Sequence, residues 1–343
     1  MKKQKLTFSI GVPVYKGSPF LKQSLQSILK QSFNNYELLV VDDNPPSSEG
    51  EIVKTRNILT TFNDRRIKYI KNEKNLGSQG TIKKIAALAK NEILFYLCQD
   101  DILAKDALQK THDAFFLSND VGGVTRPFFW FEKRVSNPVR AVLPYDEEKD
   151  SILSLSDGEK AFRAIFGSVG QISGLAYRRN CIEVSFHEDI FPGHIYPFAG
   201  ILKKYKCVFL KDYTVAVRTE SSQTRTLSTI YQPSPTESWI KMFNTVFQEK
   251  KWKKTKALAV KHIATHYEGL IQLKNFAPKG VLEKEIWTLV KHYPLNLLSV
   301  KFWLYVLLTF LTPKKILLFL SDNYKRVILS RLLKKIDFDS FDS

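Results

Sequence analysis

The chain is poor in the elements that mark several protein classes. It has three cysteines in 343 residues, Cys98, Cys181 and Cys207. They are far apart, with no metal-ligand spacing, and fit a reduced cytosolic protein better than a disulfide framework. No stretch of about 20 residues is both apolar and uncharged, as a spanning helix needs; the nearest, Tyr293 to Thr312, has Lys301 in its middle. The basic start MKKQKLTFSIGVPVY has too short and too alternating an apolar part for a signal peptide. No G-x-G-x-x-G follows the first strand-like run and no G-x-x-x-x-G-K-[ST] occurs, which argues against dinucleotide and P-loop sites. There is no internal repeat and no low-complexity tract.

What is present is a globular composition, 44% hydrophobic and 13% aromatic, with 52 Lys and Arg against 34 Asp and Glu, a net charge of +18. Such an excess suggests an anionic partner: nucleic acid, a membrane surface or a phosphorylated substrate. It is unevenly placed. Residues 241–343 hold 19 basic and 8 acidic side chains, +11 of the +18.

Up to about residue 220, β-like runs alternate with helical stretches. Expected strands are Leu6–Val14, Glu37–Val41, Ile67–Lys71, Ile93–Leu97, Val121–Phe131, Ile172–Tyr177 and Val208–Val217. Expected helices are Ser18–Gln31 (Ser18 as N-cap, Pro19 at its first position), Thr55–Phe62, Gly80–Lys90 and Asp157–Phe166, the last begun by Ser156. This order predicts an α/β sheet covered by helices on both faces. Past Pro233 and Pro235 the pattern predicts helices alone, Trp239–Leu273, Val281–Tyr293, Leu295–Leu311 and Lys315–Ile336, broken by Pro294 and Pro313. The expected division is 1–232 and 233–343.

Two acidic pairs stand at strand ends, Asp42-Asp43 after ELLVV and Asp100-Asp101 after ILFYLCQ. In an open α/β sheet ligands bind outside the carboxyl ends of the strands, so both pairs face one crevice. Such carboxylates can accept hydrogen bonds from a base or ribose, or hold Mg²⁺ or Mn²⁺ against phosphate oxygens. Alone, each pair reads equally as a turn or helix cap.

SIGVPVYKGSPFLKQSLQSILKQSFNNYELLVVDDNP (Ser9–Pro45) and NEKNLGSQGTIKKIAALAKNEILFYLCQDD (Asn72–Asp101) together resemble glycosyltransferase family 2, the inverting nucleotide-sugar transferases of the GT-A fold. The resemblance is strong over roughly residues 6–110, weaker over 165–225 and absent as motif beyond about 235. It implies a doubly wound mixed sheet with a C-terminal helical extension, and a sugar moved from a nucleotide-sugar donor. UDP is the commonest nucleotide of the family. The resemblance places Pro13 and Tyr15 beside the base, Asp43 on it with Asp42 supporting the turn, and Asn75 and Gly77 beside ribose and diphosphate. Asp100 then faces the ribose and Asp101 the divalent cation. The first acidic position of the family's DXD motif is here Gln99, and its Arg-Asn pair is here Ile82-Lys83. Lys83 reads either as a diphosphate contact or as a solvated helix lysine.

The family's base, usually Asp, falls in HEDIFPGHIYPFAGILKKYKCVFL (His187–Leu210) at or beside His194, with Asp189 and then Glu188 as alternatives. In GQISGLAYRR the small Ser173 and Gly174 would leave room for an acceptor sugar. In VRTESSQTR, Arg218 and Arg225 are candidates for phosphate contacts. The basic C-terminal part, with Lys250–Lys256 and apolar runs rich in Trp and Tyr, suits an interfacial helix on an anionic leaflet, or a subdomain packed within the chain or on another subunit. The expectation is a transferase peripheral on the cytoplasmic membrane face. Its acceptor would be a saccharide or polyprenyl-diphosphate-linked glycan of surface polysaccharide or glycolipid synthesis. An inactive scaffold of the same fold and a nucleic-acid-binding protein are the other classes weighed; the lysines beside long apolar faces form no recognition module for the latter.

Overall fold

Short β-branched runs with no polar face are stable as interior strands, and three such runs build the centre of the sheet, with the alternating Ile67–Lys71 at its edge. The computed structural model describes residues 6–330, 333 and 336–341. Among them β1 (Phe8–Val14), β2 (Tyr36–Asp42), β3 (Ile67–Lys71) and β4 (Ile93–Tyr96) lie parallel in the order β3-β2-β1-β4. Between them run α1 (Leu21–Leu29), α2 (Glu49–Thr60) and α3 (Gly77–Leu88). The strand order reverses between β1 and β4, which opens a crevice at their carboxyl ends.

The chain continues with β5 (Ile102–Leu103), α4 (Ala107–Ala114), β6 (Val121–Thr125), β7 (Phe128–Phe131), β8 (Pro138–Val142), β9 (Ser151–Leu153), α5 (Gly158–Ser168), β10 (Ala176–Arg178), α6 (Ile195–Ile201), β11 (Lys206–Phe209) and β12 (Val215–Arg218). The large sheet extends past β4 as β10-β6-β11-β9, with β10 antiparallel to both neighbours. A second sheet has the order β5-β12-β7-β8. Phe8, Ile10, Val12, Leu38, Val40, Ile93 and Phe95 are wholly buried in the shared core. Phe338 and Phe341 pack edge-on against Phe129 at 5.8 and 5.2 Å.

Several expected elements are redrawn. The run Val121–Phe131 is two strands in different sheets, broken at Arg126-Pro127, because Pro127 has no N–H for the ladder. Val208–Val217 likewise divides into β11 and β12, one in each sheet. Ser18 does not cap α1: Gly17 O accepts from both Phe20 and Leu21 N–H, so the helix starts two residues past Pro19, and Ser18 Oγ bonds Glu51 at 3.3 Å. The N-cap of α5 is Asp157 and not Ser156.

By compactness, residues 189–192 and 219–334 form a second unit. Its helices are α7 (Gln223–Thr226), α8 (Pro235–Val246), α9 (Lys253–Ala264), α10 (Glu268–Phe276), α11 (Val281–His292), α12 (Val300–Leu311) and α13 (Lys314–Asn323). Ser234 Oγ caps α8 by accepting from Glu237 N–H at 3.1 Å, with Pro235 at the first position. The single helix expected over Trp239–Leu273 is three helices. Periodicity continues through the breaks, but Phe247 and Tyr267 are buried anchors that turn the chain. Tyr267 OH bonds Asn296 Oδ1 at 2.6 Å, and Asn296 Nδ2 donates to Ala264 O and Leu289 O, so this buried amide ties three helix ends together. The helix expected over Lys315–Ile336 is α13 followed by a wider turn at Tyr324–Leu329; residues 331, 332, 334 and 335 of it lie outside the described residues.

Candidate active site

The site is assembled where β1, β2 and β4 end. Asp42 is wholly buried and works for the protein: Oδ1 accepts from Asn44 N–H and Nδ2, and Oδ2 accepts from Tyr69 OH at 2.8 Å. Asp43 beside it is 3% exposed. Its Oδ1 accepts from Asn72 Nδ2 at 2.8 Å and Leu76 N–H at 2.7 Å, while Oδ2 has no hydrogen bond among the described residues. Asn75 donates to Asp43 O at 2.8 Å and accepts from Gly77 N–H at 3.1 Å, which opens α3. Gly77 sits at φ +72°, where a side chain would be strained. The Asn75–Gly77 turn is thus fastened to the Asp43 end of β2.

Gln99, standing where a third carboxylate was expected, locks the end of β1 instead. Its Oε1 accepts from Tyr15 N–H and its Nε2 donates to Tyr15 O, both at 2.8 Å. Lys16, at φ +50°, donates from its N–H to Asn44 Oδ1 at 2.8 Å. The loop after Pro13 is therefore held to both acidic strand ends, with the Tyr15 side chain left exposed.

Asp101 is 2% exposed. Its Oδ1 accepts from Arg218 N–H at 3.0 Å, and its Oδ2 accepts from Ser173 Oγ at 2.6 Å and Gln171 Nε2 at 3.3 Å. Burial, then the neighbouring charge of Asp100, push its carboxyl well above the usual range. Ligand atoms of Asp100, Asp101 and Cys98 all lie within 4.8 Å of one another. Hard Mg²⁺ or Mn²⁺ takes carboxylate oxygens, so the two aspartates fit such an ion. Burial raises the Cys98 thiol well above its ordinary value, which makes it a poor third ligand.

Arg218 is spent on this pair more than on solvent. Its Nε donates to Asp100 O at 3.2 Å and its Nη2 to Gln23 Oε1 at 2.7 Å, and its guanidinium lies 4.6 Å from both the Phe20 and Phe131 ring centres. Arg225, in the second unit, is paired with Asp322 at 2.5 Å.

Sequence reasoning missed Arg126. It is wholly buried and donates from Nη1 to Ser168 O and from Nη2 to Gln171 O and Ser173 O, so it fixes the loop that carries two of Asp101's partners. Burial pulls its guanidinium down to about 9. The only signal was an arginine before proline inside an apolar run. Ser173 and Gly174 do not leave room for a sugar. Ser173 is wholly buried between Cys98 N–H and Asp101, and the space of a Gly174 Cβ is already taken by Val215 and Arg126, at φ +85°.

His194 is buried, with Nε2 on Val169 O at 2.9 Å and Nδ1 without a hydrogen-bond partner among the described residues. Burial lowers the ring to about 4. Lys83 and Glu188 are exposed and paired at 3.4 Å. Asp189 belongs to the second unit, where Lys241 Nζ lies 3.1 Å from it.

A mixed sheet in this order, with acidic strand ends at its switch point, defines a GT-A-type nucleotide-sugar transferase fold. Solved structures agree at the level of fold: S. aureus TarS 1–349 in complex with UDP-GlcNAc (14% identical, 96% of this chain and 93% of that one, TM-score 0.55) and the Pyrobaculum calidifontis mannosyltransferase PcManGT in complex with GDP-Man and Mn²⁺ (13%, 95% and 88%, 0.55). Residues 9–159 match the model of glycosyl transferase family 2. Curated relatives include the Escherichia coli UDP-Glc:alpha-D-GlcNAc-diphosphoundecaprenol beta-1,3-glucosyltransferase WfgD, 35% identical over 101 residues (29% of this chain, 38% of the relative). Another is the Bacillus subtilis minor teichoic acid biosynthesis protein GgaA, 26% identical over 189 residues (53% and 40%). The chain thus spans about two fifths of the length of these relatives.

Proposed function

We propose that this chain is an inverting, metal-dependent glycosyltransferase. It takes a sugar from a nucleotide-sugar donor, first among them a UDP-sugar, and passes it to a saccharide or polyprenyl-diphosphate-linked acceptor in the synthesis of a bacterial surface polysaccharide or glycolipid. The observation that carries this reading is the Asp100-Asp101 pair, with Asp101 buried and a carboxylate oxygen of each within 4.8 Å of the other, placed at the switch point of the sheet. The names of WfgD and GgaA support the donor and the kind of product.

In this reading Asp43 Oδ2, which has no hydrogen bond among the described residues, accepts from the base N–H, and Tyr15 lies beside the base with Pro13 behind it. Asn75 and Gly77 present their turn to ribose and diphosphate, and Asp100 accepts from the ribose. Asp100 and Asp101 hold Mg²⁺ or Mn²⁺, which when bound offsets the charge gathering on the departing diphosphate. Lys83 adds a point charge near the phosphates, and Arg218 keeps the Asp100-Asp101 backbone in place. The acceptor proton goes to a base on the segment 187–194. His194 offers an unpartnered Nδ1 lone pair, but with the ring held near 4 its pull on a hydroxyl proton is weak. Asp189 is the alternative. His194→Ala and Asp189→Ala compared at saturating donor separate them, since the base variant loses turnover while keeping donor affinity.

The test of the whole reading is a thermal-shift screen of nucleoside diphosphates and sugar nucleotides with and without Mn²⁺. A true donor raises the midpoint with concentration, by mass action, and more so with the ion. No stabilisation by any sugar nucleotide would remove the enzyme reading.

A further inference from the structure

A water-soluble helix turns one apolar stripe inward and leaves the rest polar. Helix α12 breaks that rule. Phe302, Val306 and Thr309 face inward and are buried, yet Val300, Leu304, Leu307 and Leu311, spaced by four, three and four residues along the opposite side, are exposed. Val300 is 75% and Leu311 77% exposed, and the preceding Leu298 is 81% exposed. The outward side of α13 continues in the same character, with Phe319 at 65%. Contiguous apolar surface on this scale is left open in a monomer only where something covers it.

The charge along the segment says what covers it. From Pro294 to Ser330 there are five basic side chains, Lys301, Lys314, Lys315, Lys325 and Arg326, and one acidic, Asp322, already ion-paired with Arg225 and Lys325; Lys301 is held by Glu268, so the exposed Lys314 and Lys315 carry most of the charge offered to a partner. Lys314 and Lys315 are exposed at the start of α13. A second copy of this chain would bring the same cations against each other with no free carboxylate from the segment to meet them. A lipid surface with anionic headgroups satisfies both halves, taking the apolar side chains at the acyl boundary and the lysines among the phosphates. Spanning is excluded by length. No described helix is long and apolar enough to cross a membrane, and the 12 residues of α12 rise about 18 Å against the ~30 Å hydrocarbon core.

We propose that the outward faces of α12 and α13 lie in the plane of an anionic bilayer surface and insert their apolar side chains at its headgroup boundary. The proposal deepens the lipid-linked-acceptor reading and rests on it for its use in the reaction, whereas the adsorption itself is testable without donor or metal.

The experiment is sedimentation of the full chain with vesicles of equimolar phosphatidylglycerol and phosphatidylethanolamine, and with vesicles of phosphatidylcholine alone. The protein is expected to partition at least about tenfold more strongly onto the anionic vesicles, and to come off with salt. Leu304→Glu with Leu311→Glu, both at exposed positions, should lower partitioning by at least about tenfold with circular dichroism and melting midpoint unchanged. Lys314→Gln and Lys315→Gln should each lower anionic partitioning about fivefold and leave phosphatidylcholine binding alone. Equal recovery with and without vesicles overturns the proposal, as does a Leu304→Glu, Leu311→Glu protein that binds like the parent. Light scattering covers the rival occupant: a parent dimer that this double variant dissociates, with no vesicle binding, assigns the face to a second copy. Transfer to a soluble acceptor without vesicle binding sinks this proposal alone, and vesicle binding with no transfer to any acceptor sinks the enzyme reading alone.

Discussion

Removing the Ser173 hydroxyl should loosen the Asp101 carboxylate, and the structure sets how much that costs. Ser173 Oγ donates to Asp101 Oδ2 at 2.6 Å and accepts from Cys98 N–H at 2.9 Å, with no solvent exposure. In Ser173→Ala the Cys98 N–H loses that partner and Asp101 Oδ2 keeps only the long bond from Gln171 Nε2 at 3.3 Å. A buried donor left unpaired costs about 1–3 kcal/mol, and a hydrogen bond to a charged acceptor contributes about 1.5–3 kcal/mol. With some local relaxation the loss is about 3 kcal/mol, which for a unit of this size lowers the melting midpoint by roughly 6–12 °C. Differential scanning calorimetry measures it. A double-mutant cycle with Asp101→Asn should return a coupling of about 1.5 kcal/mol or more, since the two groups share one bond. The Mn²⁺ concentration needed for half-maximal stabilisation should rise as well, because the carboxylate is no longer aimed. A Ser173→Ala midpoint equal to the parent's, or a coupling near zero, would refute the claim that this hydroxyl positions Asp101.

Three further outcomes follow from the same geometry. His194 is held in the fold at about 4 against its ordinary 6.5, so the unfolded chain takes up the proton first. Stability from this group is intact above 6.5 and lost as pH falls toward 4, by at most ~3 kcal/mol; urea unfolding across that window should show the loss, and His194→Gln should remove most of the slope. Gly174→Ala places a Cβ 2.4 Å from Val215 Cγ2 and 2.8 Å from Arg126 Nε at φ +85°, and should cost at least about 3 kcal/mol in chemical denaturation. Gln99→Ala frees the Tyr15 peptide from two bonds and should raise the donor KM by about fivefold to tenfold with little change in melting midpoint; an unchanged KM would mean the β1 loop is not part of the donor site.

The central strands were readable because a buried parallel strand is written locally, as in Leu38–Val41 and Ile93–Leu97, runs with no polar face. The acidic pairs were readable for the same reason, since they follow those runs directly. What could not be read depends on partners distant in the chain. Pro127 and the charged Lys211-Asp212 mark breaks in the apolar pattern, but a break alone does not say that β6 and β7, or β11 and β12, belong to different sheets. Helix periodicity likewise passes through Phe247 and Tyr267, whose burial in the second unit bends the chain. In the site, Ser173 and Gly174 look small for the sake of a ligand and are small for the sake of Asp101 and Arg126. Gln99 looks like a lost carboxylate and is a clasp on Tyr15. Arg218 and Arg225 look like phosphate ligands, yet one is sandwiched between Phe20 and Phe131 and the other is held by Asp322.

A divalent cation held by Asp100 and Asp101 is the centre of the proposed chemistry. Calorimetric titration of UDP into the full chain, with Mn²⁺ and with chelator, tests it most directly. The parent should bind UDP at least about tenfold more tightly with the ion, and Asp101→Asn should bind equally weakly in both buffers. Equal affinity of the parent with and without Mn²⁺, or an Asp101→Asn protein that keeps the full ion-dependent gain, would contradict it.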